Sequence, residues 1–256
     1  MEFSIGSWSF HELYESGQMN IFGYLQAIRY RYHLDSADIW TGMLECFEDS
    51  YIQKLSNSLL EEELSLSCLA TDAQIWDDDL ERREQNQLLI HNYLQIASTL
   101  RAKVLRIDAG IRNPQISENQ FDYVVEKYRT YSEIARQNGF LIGPQTHQPA
   151  TQVPKNIARL VETVASEAFG IIMDLDRWTD DRDIGNELCA SSAIHVHFDS
   201  SRTKDEKAIE RIALLLLQSG YSGCWSLEYR LGGSEYLGVA RDLATLRHAV
   251  HRVTTI

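Results

Sequence analysis

The chain has 256 residues, a length that suits one α/β barrel and exceeds what a small sandwich needs. Lys and Arg total 24 against 37 Asp and Glu, giving a formal net charge of -13 that repels phosphate backbones and argues against a nucleic-acid partner. No apolar run approaches the ~20 residues of a membrane span and no basic, apolar leader opens the chain, so a cytoplasmic protein with no membrane association is expected.

Punctuated apolar runs predict strands at about 3–8, 36–40, 64–70, 102–108, 140–146, 169–174, 193–198 and 223–229. Between them apolar residues recur at three and four, and the clearest helical patterns cover 20–32, 79–100, 117–138, 155–165, 204–219 and 234–253. In the third of these the stripe is Val124, Tyr128, Tyr131, Ile134 and Ala135. Gly139 and Gly220 fall where two helices should stop, and Pro154 falls where another should start. Such alternation, with no Ser/Gly-rich linker, predicts the α/β class and a single (β/α)8 TIM barrel, one domain over residues 1–256. Cys46, Cys68, Cys189 and Cys224 lie far apart without a C-x-x-C pair, as reduced thiols do.

Parallel strands point their C-terminal ends to one face, so their last polar residues converge. The third and fourth strands lead to Asp72 and Asp108, read as rim or helix-capping carboxylates. The next four end alike: Phe140-Leu-Ile-Gly-Pro-Gln145, Gly170-Ile-Ile-Met-Asp174, Ala193-Ile-His-Val-His197 and Gly223-Cys-Trp-Ser-Leu-Glu228. One such residue alone reads as a cap or a hydrogen-bonded core group. Two carboxylates and an imidazole brought together without a cation are costly, so the four predict one divalent metal ion held by Gln145, Asp174, His197 and Glu228. An amide oxygen, two carboxylates and an imidazole suit Mn, Mg, Co or Zn.

These segments resemble the xylose isomerase-like TIM barrel superfamily, in its sugar phosphate isomerase/epimerase branch. The resemblance runs from Phe3-Ser-Ile-Gly-Ser-Trp8 to Gly220-Tyr-Ser-Gly-Cys-Trp-Ser-Leu-Glu228, through Asp174-Leu-Asp-Arg-Trp178 and the His195-Val-His197 pair. It implies that Asp174, His197 and Glu228 are ligands. Where the family shows Glu-Asn-His, this chain has Gln145-Thr146-His147, and it lacks the lysine usual after His-x-His. An amide coordinates through its oxygen but accepts no proton at neutral pH.

The implied activity is isomerisation or epimerisation of a small sugar, polyol or hydroxy-keto acid. Glu228 would move a proton through a metal-stabilised enediolate, with His147 or His195 in place of the missing carboxylate. The alternatives are a catalytically degenerate sugar-binding barrel and an inosose-type dehydratase or lyase. Trp8 is the candidate substrate wall, and His147, His195, Arg202 and Arg230 are candidate substrate-binding groups. Leu231-Gly-Gly-Ser234 offers a weak phosphate-site signal. The apurinic endonuclease branch needs many more His and acidic ligands than His147, His195 and His197 supply. A small sugar-like molecule is thus the expected partner, and self-association into a homo-oligomer stays open.

Overall fold

The structure, a computed structural model, describes residues 1–175, 177–179, 182–199, 201 and 205–254. Strand and helix alternate along the chain. Strands β1 (Phe3–Ile5), β6 (Ile171–Asp174), β7 (Ala193–Asp199) and β8 (Trp225–Glu228) form one parallel run in the order β1-β8-β7-β6. Strands β2 (Ser36–Trp40), β3 (Ser65–Gln74), β4 (Val104–Asp108) and β5 (Leu141–Gly143) form the other in sequence order. Single parallel bridges join the two runs, Gly6 to Asp38 on one side and Ile142 to Phe169 and Gln145 to Ile172 on the other, closing the barrel. Around it lie α1 (His11–Glu15), α2 (Ile21–Gln26), α3 (Asp49–Glu61), α4 (Leu80–Thr99), α5 (Glu118–Asn138), α6 (Pro154–Val164), α7 (Arg182–Cys189), α8 (Glu206–Gln218) and α9 (Glu235–Thr254).

Strand alternation sorts the side chains into two compartments. On β4, Leu105 and Ile107 join the large core between strands and helices, whereas Val104 joins a small separate cluster with Cys68, Ala70 and Ile172. Arg106 and Asp108 share the parity of Val104, so they stand on top of this apolar plug, towards the C-terminal mouth. A polar site on an apolar floor follows from that layering.

The helix expected over 20–32 is α2, capped by the Asn20 side chain on the Gly23 amide, followed by a π-helical turn at Ala27–Arg31. Asp79 caps α4 through the Arg82 amide, so the acidic run at 77–79 opens a helix. The fifth strand stops at Gly143 because Pro144 has no N–H for the ladder, and Gln145 regains pairing only through its bridge to Ile172. β3 runs on to Gln74 and so carries Asp72 within it.

The β5–β6 seam leaves no room at Gly143, where an added Cβ would run into the Gly170 carbonyl oxygen. Gly143→Ala is therefore expected to destabilise the fold by about 1–3 kcal/mol, read as a lowered thermal midpoint. An unchanged midpoint would mean that the seam yields freely.

Candidate metal and substrate site

Asp174 and Glu228 end β6 and β8, and His197 projects from β7 between them. Their ligand atoms lie within 4.8 Å of one another, and all three side chains are buried. His197 Nδ1 is 3.3 Å from Glu228 Oε1 and 3.6 Å from Asp174 Oδ1. It makes no hydrogen bond among the described residues. A buried imidazole nitrogen without a hydrogen bond, set between two carboxylates, is the arrangement a divalent cation fills, and a carboxylate–carboxylate–imidazole set suits Mn, Mg, Co or Zn.

Gln145 reaches the same cluster but in another role. Its Nε2 donates to Asp174 Oδ1 at 2.7 Å, and its Oε1 accepts from Arg106 Nη1. Those partners fix the amide orientation, since flipping it would set nitrogen against guanidinium and oxygen against carboxylate. The oxygen expected to face an ion is thus already engaged. Arg106 is itself 6% exposed and also donates to Thr71 O (2.8 Å) and Asp72 Oδ1 (3.0 Å).

Above the cluster opens a cavity of about 240 Å³ whose lining includes Trp8, Trp40, Arg106, His147, His197 and Glu228. It falls below the ~300–1,000 Å³ of drug-sized pockets, as suits a small polar metabolite. Trp8 meets Trp40 edge to face, centroids 4.9 Å apart, and stacks on His11. His147 lies 2.9 Å from Asp108 Oδ2 through Nε2.

A family model described as xylose isomerase-like TIM barrel matches residues 34–248. The chain belongs to that family. The barrel is similar to D-psicose 3-epimerase from Clostridium cellulolyticum H10, solved with D-tagatose (TM-score 0.79, 13% identity, 98% of this chain and 99% of that one). It is similar also to an L-ribulose 3-epimerase (TM-score 0.76, 13% identity, 100% and 98%). A third likeness is the IOLI protein with a bound zinc atom (TM-score 0.76, 16% identity, 99% and 98%). At these identities the likeness establishes the fold. No curated protein sequence matches the chain.

Other candidates in this family barrel take varied places. His195 lies buried beside His197, their ring centroids 5.0 Å apart. Arg230 pairs with Glu228 Oε2 and lies 3.4 Å from Asp199 Oδ2, so in this structure it braces a carboxylate. Arg177, not singled out in the sequence, does the same for Asp174 Oδ2 at 2.6 Å. Arg202 lies outside the described residues. Trp178 is buried and bonds Asn186, a packing role. At the Gly232-Gly233 turn the Glu235 carboxylate takes the amides of Glu12 and Leu13, anchoring α1 to α9.

Burial alone would raise the carboxyl pKa values of Asp174 and Glu228. The His197 charge, with Arg177 for Asp174 and Arg230 for Glu228, outweighs it and lowers both. Burial likewise opposes charge on His197, but Glu228 and Asp38 raise its pKa to about 10. This raised histidine contributes stability fully below its unfolded pKa of ~6.5 and loses it as pH climbs through about 10. An ion taken at Nδ1 must displace that proton. Ion binding near pH 7 is therefore expected to release about one proton. Calorimetry in buffers of different ionisation enthalpy measures this, and zero release would contradict it.

Proposed function

We propose that this barrel is a divalent-cation-dependent isomerase or epimerase of a small sugar, polyol or hydroxy-keto acid. The observation that carries the reading is the convergence of Asp174, His197 and Glu228, with Nδ1 lacking a hydrogen bond among the described residues, beneath a small cavity walled by tryptophan. Epimerases among the similar structures support it. When bound, the cation supplies Lewis-acid polarisation of a substrate oxygen and offsets the charge of an enediolate.

The protein groups do the rest. Glu228, ionised through His197 and Arg230, removes a proton from the carbon beside the carbonyl and returns it to a neighbouring carbon. His147, steadied by Asp108 at Nε2, keeps its other ring nitrogen for substrate and acts as the second acid–base group. Gln145 carries no proton, and we assign it to holding Asp174 in place rather than to the ion. Trp8 and Trp40 cover the apolar face of the substrate. Arg230 contacts substrate oxygens near the mouth. His195 supports from below.

We take residues 1–256 as one domain acting on a free small molecule. Among the described residues no helix is long and apolar enough to cross a membrane. The four cysteines are unpaired, which fits a cytoplasmic setting. The second reading, a sugar-binding barrel without turnover, draws on Gln145, where an amide stands in the place of a base. A panel of ketoses, inososes and hydroxypyruvate with Mn, Mg and Co separates the two. Turnover of any member supports the enzyme, and saturable binding without turnover supports the second reading.

A further inference from the structure

Asp38 lies on β2, on the far side of β1 and β8 from the His-x-His strand, and is 1% exposed. Its Oδ2 alone gathers three contacts: His197 Nε2 at 3.0 Å, His195 Nε2 at 3.0 Å and Ser226 Oγ at 2.6 Å. We infer that Asp38 is a positioning residue that holds the Nε2–H of His197, so that Nδ1, once its proton is displaced, faces an ion between Asp174 and Glu228. The inference rests on the ion binding proposed above.

The reasoning is geometric. An imidazole offers a ligand lone pair only at the nitrogen that carries no hydrogen, and its orientation follows from what the other nitrogen donates to. Here the acceptor is a buried carboxylate from a non-adjacent strand, 159 residues away in sequence. Carboxylates placed behind metal-bound histidines orient the ring and strengthen the ligand. Ser226 and His195 complete the hold. As both point hydrogens at the same oxygen, neither the carboxylate nor the His197 ring can swing without leaving a buried donor unpaired. That oxygen already takes three side-chain contacts, so we assign Asp38 to act through His197. His195 Nδ1, buried without a hydrogen bond among the described residues, faces no second acceptor, and its Nε2 bond to Asp38 is the one that orients that ring.

The test uses zinc alone with the full chain. Zinc affinity is measured by competition with a chromophoric chelator for the wild type, Asp38→Asn and Asp38→Ala, alongside thermal unfolding. Histidine ring nitrogens of the zinc-loaded protein are assigned by NMR. The expected wild-type signature is His197 ligated at Nδ1 with a slowly exchanging Nε2–H. Affinity is expected to fall about 10–100-fold in Asp38→Ala and about tenfold in Asp38→Asn, which keeps the shape and one acceptor, with cooperative unfolding retained. Should Asp38→Ala not fold, Asp38→Asn decides. Affinity within about twofold of wild type in the folded variants, or ligation of His197 through Nε2, overturns the role of Asp38 while leaving ion binding intact. A wild type that takes up no zinc overturns the ion reading, and this inference with it.

Discussion

Glu228→Gln is expected to lower kcat by about 10²–10⁴-fold, the contribution of a positioned general base, with the unfolding transition kept. The substitution preserves shape at the end of β8, where the side chain is 6% exposed and braced by Arg230. It removes the negative charge and the ability to accept a proton. Because the same carboxylate is assigned to the ion, the variant should also bind metal less tightly. Assays at saturating Mn, with bound ion measured in parallel, separate the two losses. A kcat that recovers fully once the ion is saturating would leave Glu228 as a ligand and remove it from proton transfer.

Gln145→Glu should have the opposite sign for the ion. In the native site the amide nitrogen donates to Asp174 Oδ1 at 2.7 Å. A carboxylate there would set oxygen against oxygen, an arrangement tolerated only with a proton or a cation between them. Arg106 offsets one of the charges but lies on the far side of the side chain from Asp174. The variant is expected to bind a divalent ion at least about tenfold more tightly and to depend on it for stability, with the ion-free form losing about 1–3 kcal/mol. Thermal scans with and without Mn measure both. Unaltered affinity would place position 145 outside the ion's reach. Sugar isomerisation appearing where the native chain has none would favour the binding-only reading, whereas loss of an existing activity would make the amide part of the working site.

The barrel was legible because its signals are periodic, and the family because motifs such as His195-Val-His197 and Gly220–Glu228 resemble it. Runs such as Gly170-Ile-Ile-Met-Asp174 announce parallel strands, and parallel strands bring their ends to one mouth. Asp174, His197 and Glu228 were found by that rule and do converge. Gln145 followed the same rule and arrived at the cluster, but its oxygen turned to Arg106, a partner that spacing does not reveal. Arg106 had left a trace: a guanidinium two residues before Asp108, on the inward parity of an otherwise apolar strand. Asp38 left a similar one inside Ser36-Ala-Asp-Ile-Trp40. Attention to strand ends passed over both. Which carboxylate meets which histidine depends on the barrel's closure between β1 and β2, a contact with no local signature. The unexpected split of the 20–32 helix into α2 and a π turn is equally a matter of packing, since the apolar pattern runs through it without a break.

The central claim, that Asp174, His197 and Glu228 hold one divalent ion beneath the substrate cavity, is tested most directly by counting ions per chain. Tag-free wild type and Asp174→Asn are equilibrated with Mn or Zn, dialysed and analysed for metal. The account predicts about one ion per wild-type chain and under about a tenth in the variant, whose missing ligand charge weakens the hold on a divalent ion through dialysis. Less than about half an equivalent in the wild type, or a full equivalent undiminished by Asp174→Asn, would contradict it.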